Sequence, residues 1–135
     1  MSDPGWELQK AIYAALTGNL TAVGGGSVPI YDDVPAGAAY PYVAIDDQSV
    51  IPRDGLVQRW EARPVNGSIW STYRGKREVM EILGQIYGLL DRQRLALGGG
   101  HRTVIVRITR QNAARDADGV TYMGQFTAEA IVERA

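Results

Sequence analysis

The chain has 135 residues, with 14 lysines and arginines against 15 acids, one histidine and no cysteine. That length fits one domain, 1–135, whose core is large enough to need no disulfide or metal staple. The missing cysteine excludes disulfides, thiolate nucleophiles and cysteine-ligated metal centres, and the near-neutral balance excludes a global basic field that would recruit nucleic acid. Met1 leads into Ser2-Asp3-Pro4 with neither a basic n-region nor an apolar h-region. No apolar run approaches the ~20 residues that a bilayer requires. A soluble, cytosolic chain without a signal peptide is therefore expected.

Asp3-Pro4 is a helix start, because aspartate accepts from free first-turn N–H groups and proline has none to lose. Leu8, Ala11, Ile12, Ala15 and Leu16 follow at three- and four-residue spacing, and Gly18-Asn19 offers the stop. Gly24-Gly25-Gly26 marks a flexible connector. Val28 to Val34 reads as a short strand ended by Pro35, and Tyr42 to Asp46 as a second. Gln48 to Val57, with Pro52 and Asp54-Gly55, reads as a long loop or mobile hairpin. Arg59 to Ser71 returns to extended structure. Its expected buried members are Val65, Ile69 and Trp70, with Pro64 and Asn66-Gly67 interrupting the pattern. From about Gly75 to Leu90, Val79, Ile82, Leu83, Ile86, Leu89 and Leu90 form the strongest helical face in the chain.

The last quarter has the period of strands. Between Arg102 and Arg110, Val104, Val106 and Ile108 alternate with Thr103, Arg107 and Thr109. From Val120 to Glu133, Val120, Tyr122, Phe126, Ala128, Ala130 and Val132 alternate with Thr121, Gln125, Thr127, Glu129 and Glu133. Asp116-Ala117-Asp118-Gly119 between them is turn chemistry. The order predicts an α+β fold: a mainly antiparallel sheet with a long C-terminal β-hairpin, covered on one face by two α-helices.

Motifs that carry chemistry are scarce. His101 follows three glycines, has no catalytic partner nearby in sequence and reads as a solvated loop residue. The glycine runs lack the ending of a P-loop and the spacing of a dinucleotide fingerprint, and no serine sits in a nucleophile elbow. Asp32-Asp33 and Asp46-Asp47 would bind a divalent cation only if the fold brought them together. Asp116-x-Asp118-Gly119 imitates part of an EF-hand loop, but Ala114 stands at the first ligand position and no distal glutamate follows. No catalytic, cofactor-binding or metal-binding residue is assigned, and no cofactor is expected. More informative is the surplus of apolar residues in a loop-rich stretch: Ile51, Leu56, Val57 and Trp60, with Trp6 and Tyr73 at predicted helix starts. Aromatic residues are what interfaces favour, so the pattern points to a binding or assembly module.

Several segments together carry a family resemblance. They are the helix with Leu8 to Ile12 and Leu16, and the block Ile30-Tyr31-Asp32-Asp33-Val34-Pro35 through Tyr40-Pro41-Tyr42-Val43. Downstream come Trp70-Ser71-Thr72-Tyr73-Arg74-Gly75 and Arg115-Asp116-Ala117-Asp118-Gly119-Val120-Thr121-Tyr122. Nearly the whole chain thus resembles the tail terminator (tail completion) family of long-tailed phages and phage-like gene transfer agents. The resemblance implies a non-enzymatic virion protein, made in the host bacterial cytoplasm and placed at the neck of the tail. It implies a homo-oligomeric ring, six-membered, that caps the tail tube, meets the head–tail connector or stopper, and passes DNA as cargo without reading it. No membrane partner follows.

Within that reading, Ile51, Leu56, Val57, Trp60, Asp116 and Asp118 are the expected interface residues. Asp32, Asp33, Asp46 and Asp47 are expected to face the channel, because a basic lumen would hold the duplex. Another neck protein, an adaptor or stopper, is the alternative; a small metal-dependent hydrolase is the contrasting class.

Overall fold

The first helix forms because Asp3 can close its open end. Asp3 is extended and its carboxylate accepts from the Gly5 N–H at 2.8 Å, with Pro4 in the first turn. A computed structural model describes residues 3–53 and 59–134, and of Val104 only the backbone. Helix α1 spans Pro4–Leu16, and α2 spans Arg77–Leu90. The second starts two residues later than its apolar spacing suggests, because Gly75 sits in the left-handed region at φ 86°. Neither helix is long and apolar enough to cross a membrane.

The described residues also form six strands: β1 (Ile30–Tyr31), β2 (Tyr42–Gln48), β3 (Ile51–Pro52), β4 (Trp60–Ser71), β5 (Arg102–Arg115) and β6 (Tyr122–Glu133). They form one sheet in the order β1-β2-β4-β6-β5, with β3 also paired to β4. Only β1–β2 is parallel, so the fold is α+β with a mixed, mostly antiparallel sheet. Strand β6 pairs on one side with β4, from Trp60↔Glu133 to Ser71↔Tyr122, and on the other with β5, from Arg102↔Glu133 to Arg115↔Tyr122. Tyr122, Phe126, Ala128, Ala130 and Val132 are buried and share one cluster with Leu8, Ile12 and Leu16 of α1 and Val79, Ile82 and Ile86 of α2. The opposite side of the same strands carries Trp60, Asn66, Trp70, Gln125, Thr127 and Glu129.

Several expectations from periodicity are corrected. Strand β4 runs through Pro64 and Asn66-Gly67 without interruption. The Pro64 carbonyl accepts from Ser49 N at 3.0 Å, so its missing donor faces the β2–β3 junction, where the register already shifts between Ile45 and Gln48. Trp70 is half-buried, one residue out of phase with the buried Val65 and Ile69. In β5 the alternation slips twice, between Thr103 and Ile105 and between Ile108 and Arg110. The first slip buries Thr103, whose hydroxyl donates to the Leu95 carbonyl. Val120 is 67% exposed and Thr121 is buried, because the chain is still turning there. His101, expected in solvent, is buried.

Two polar clusters lock the helices to the sheet. Glu78 of α2 is buried; it accepts from Ser71 Oγ at 2.7 Å and from Val23 N at 3.1 Å, tying the end of β4 to the glycine-rich connector. Gln85 accepts from Thr21 N at 2.8 Å and donates to Thr21 O at 3.0 Å, so one helix face grips that connector twice. Glu78→Ala is expected to cost about 2 kcal/mol, since a buried hydroxyl and a half-buried amide lose their acceptor. Urea denaturation measures it, and a midpoint equal to wild type would contradict the role. At the start of α1, Arg63 pairs with Glu61 and reaches Asp3 at 3.4 Å, and it donates to Gln48 Oε1 at 2.8 Å. Gln48 in turn donates to Gly5 O at 3.2 Å. A Cβ on Gly5 would lie 2.5 Å from Arg63 Nη1 and 2.7 Å from Gln48 Oε1, so any larger residue would push these side-chain ends aside.

Candidate assembly surfaces

Three exposed regions stand out. Helix α1 turns Trp6 and Tyr13, 56% and 45% exposed, away from its buried Leu8–Ile12–Leu16 stripe. They lie seven residues apart and so share one face. With Gln9, Lys10 and Asp32 they line a shallow, mostly apolar concavity of about 300 Å³. Helix α2 repeats the arrangement with Met80 and Tyr87, also seven apart and exposed. Trp6 is the one of these four that its position at a helix start marks in the sequence; Tyr13, Met80 and Tyr87 are not marked in that way. Apolar residues at i and i+7, out of phase with the core stripe, were the available signal.

The third region is the end of β4 beside β3. Ile51 faces Ala62 across the ladder and is 43% exposed. Arg53 N donates to Trp60 O at 2.9 Å, and Trp60 is half-buried with Nε1 donating to Glu133 at 3.2 Å. Ile51 and Trp60 are therefore brought together at one end of the sheet. Leu56 and Val57 lie outside the described residues.

Asp116 and Asp118 sit between β5 and β6. Asp116 N donates to Thr121 O at 2.8 Å, closing the turn. One Asp118 oxygen accepts from the N–H groups of Val120 and Thr121 at 2.9 and 2.8 Å, and the other accepts from the Thr121 hydroxyl at 2.6 Å. The Thr121 hydroxyl first, and then these amides, hold the Asp118 carboxyl below the usual carboxylate range. A depressed folded value means that the stabilisation is complete above the unfolded value near ~3.9 and drains as pH falls through the lower folded one. Asp118→Asn is thus expected to flatten the acid limb of stability. Urea midpoints from pH 6 down to pH 3 check it, and equal slopes for both proteins would refute it.

The four remaining acids fall into two places. Asp32 accepts from Gln9 Nε2 of α1 at 2.8 Å, with exposed Asp33 beside it. Asp47 accepts from Asn66 Nδ2 at 3.0 Å on the far side of the sheet, and burial pushes the neighbouring Asp46 carboxyl up. Asp46 and Asp47 line a polar concavity of about 250 Å³ with Asn66, Gln125, Thr127 and Arg110. Among the described residues, no group of three histidines, cysteines or acids is placed to hold a metal ion.

Strand β5 is a sheet edge with two different halves. Arg92 N donates to Val106 O at 2.6 Å, Val106 N donates to Gln93 O at 2.8 Å, and Ile108 N donates to Asp91 Oδ1 at 2.8 Å, covering the first half. Beyond Ile108, no backbone hydrogen bond among the described residues covers the outer side of the strand. Where it ends, the Arg115 guanidinium lies 5.6 Å from the centre of the Tyr122 ring. Arg115, Arg74, Thr72 and Val120 line a further shallow concavity there.

No curated protein sequence matches the chain. A chain from the virion of a native gene transfer agent particle superposes with a TM-score of 0.83, at 22% identity, covering 98% of this chain and 99% of the other. At that identity the likeness shows a shared fold. The model of the family described as tail completion protein gp17 matches residues 10–133. That match runs from the middle of α1 through α2 and all six strands, and the chain belongs to the tail completion protein gp17 family, whose members are structural proteins of phage tails.

Proposed function

We propose that the chain acts as a tail terminator, a single structural domain without catalysis that closes into a ring of six copies. The ring caps the tail tube, meets the head–tail connector or stopper, and lets DNA slide through its lumen at the neck of the particle. The C-terminal hairpin of β5 and β6 is the spine of each subunit, and the two helices cover one sheet face. The family match over residues 10–133 carries this reading.

The physics of ring closure agrees with it. A closed cyclic ring uses heterologous contacts, so each subunit needs two different adhesive patches. The exposed Trp6–Tyr13 and Met80–Tyr87 faces and the exposed Ile51 beside Trp60 offer apolar surface for such contacts. In the ring, Ile51, Leu56, Val57 and Trp60, and the turn with Asp116 and Asp118, are the proposed contacts. Asp32, Asp33, Asp46 and Asp47 are proposed to line the channel, where their charge repels the phosphate backbone and keeps the duplex mobile.

Light scattering on the purified chain, followed by co-purification with the tail-tube protein, tests the proposal. A mass near six subunits and retention of the tube protein are expected. A chain that stays monomeric at every concentration and ignores the tube would overturn it.

A further inference from the structure

The near-zero net charge conceals a segregation of charge across the sheet. Several charged groups are paired within the chain: Lys10 with Glu7, Arg77 with Glu81, Arg107 with Asp91, and Arg102 with Glu133. Among the described residues without an ion-pair partner, which include Asp46, Asp47, Arg110 and Glu129 along the sheet, Asp32 and Asp33 lie at one edge and Arg74, Lys76 and Arg115 at the other. The five at the edges are all exposed. Asp32 and Asp33 follow β1, one outer strand of the sheet, while Arg115 ends β5, the other, with Arg74 lining the same concavity.

Four strand spacings separate the two edges, about 19 Å by the usual interstrand distance, so the two groups cannot pair within one chain. Each carries aromatic or apolar surface beside its charge. Tyr42 packs edge-on against Tyr31 and tilted against Tyr40 beside the acids, with ring centres 5.8 and 5.5 Å apart, and Tyr40 is exposed. Exposed Tyr73 and Val120 accompany the arginines. Tyrosine, arginine and an apolar centre rimmed by charge are the composition of a protein interface. Asp116 and Asp118 also lie near Arg115; the Asp118 oxygens are taken up by Val120 and Thr121, and Arg74, Lys76 and Arg115 still outnumber the two acids.

From this complementarity we infer that the two sheet edges are the two halves of one contact between copies of this chain. The Arg74–Arg115 end of β5 in one copy receives the Asp32–Asp33 edge beside β1 of the next. The contact is heterologous and repeats around a ring, and the half of β5 left without a backbone partner lies at its centre. This inference rests on the proposed self-assembly. It moves Asp32 and Asp33 from the channel to the subunit boundary and leaves Asp46 and Asp47 as the proposed channel acids.

A charge swap tests it. Arg74→Asp/Arg115→Asp makes both edges acidic, and Asp32→Arg/Asp33→Arg makes both basic. By sedimentation velocity, each double variant alone is expected to run as a monomer at concentrations where the wild type is assembled. An equimolar mixture is expected to regain the wild-type mass, because acidic and basic subunits can alternate around an even-membered ring. Since the four positions are exposed, the variants give up no more than the Gln9–Asp32 hydrogen bond and the Arg115–Tyr122 contact, and recovery on mixing shows independently that both are folded. A wild type that assembles while both variants also assemble alone, or variants whose mixture stays monomeric, would overturn the inference and leave the terminator reading standing. A wild type that never assembles would overturn both.

Discussion

Gly67→Ala is expected to cost about 3 kcal/mol of folding free energy, the upper end of what overpacking usually costs. Gly67 and Phe126 are direct partners between β4 and β6, the two strands at the middle of the sheet. A Cβ on Gly67 would land on the far end of the Phe126 ring, so the glycine is the seat of that ring. Phe126 is only 2% exposed and packed in the core cluster, and neither it nor the doubly paired strands can give way cheaply. Urea denaturation of Gly67→Ala, Phe126→Leu and the double variant measures the effect. The double variant should be destabilised by clearly less than the sum of the singles, because the smaller side chain vacates the clash. A Gly67→Ala midpoint within error of wild type, or strictly additive losses, would show that the ring does not occupy this seat.

Arg63→Ala is expected to cost about 3–5 kcal/mol, as removal of one member of a buried ion pair does. Arg63 and Glu61 are both 4% exposed, so truncation strands a carboxylate away from water. Most of the loss comes from that orphaned charge; the pair itself contributes far less. Arg134 approaches Glu61 at 3.5 Å and Asp3 at 3.4 Å from the exposed side and cannot replace the guanidinium inside. Replacing both partners together, as Glu61→Gln/Arg63→Met, should therefore be milder than Arg63→Ala alone. The loss has a local signature as well. Asp3 both caps α1 and pairs with Arg63, so amide exchange in the first turn of α1 should speed up more than exchange in α2. A loss below ~1 kcal/mol, in the range of an exposed pair, would mean that water reaches the cluster.

These two sites mark where the sequence stops being legible. Asp3-Pro4, the stripes of Leu8 to Leu16 and Val79 to Leu90, and the alternation of Tyr122 to Val132 are local chemistry and local period, and they were readable as two helices and a strand. The family, too, follows from the linear order of segments that resemble it. Gly67 and Pro64 carried the opposite local meaning. Each normally weakens a strand, yet one faces the Phe126 ring and the other faces a break in the ladder, and both partners lie far away in sequence. Glu61 and Arg63 alternate like any solvated pair until Asp3 and Gln48 arrive over them.

The slips in β5 depend on how Gln93 and Leu95 return to its edge, so Thr103 could not be placed inside by period alone. The acids divide in the same way. Asp32-Asp33 and Asp46-Asp47 are two equivalent pairs in one dimension, but β1 and β2 carry them to an edge beside α1 and to an open sheet face. Period and capping act through neighbouring residues, so the sequence by itself determined the helices, the last strand and the family. Which face a residue meets depends on strands paired across scores of residues, so only the tertiary structure decided the core's exceptions, the buried ion pair and the separation of charge between the two edges.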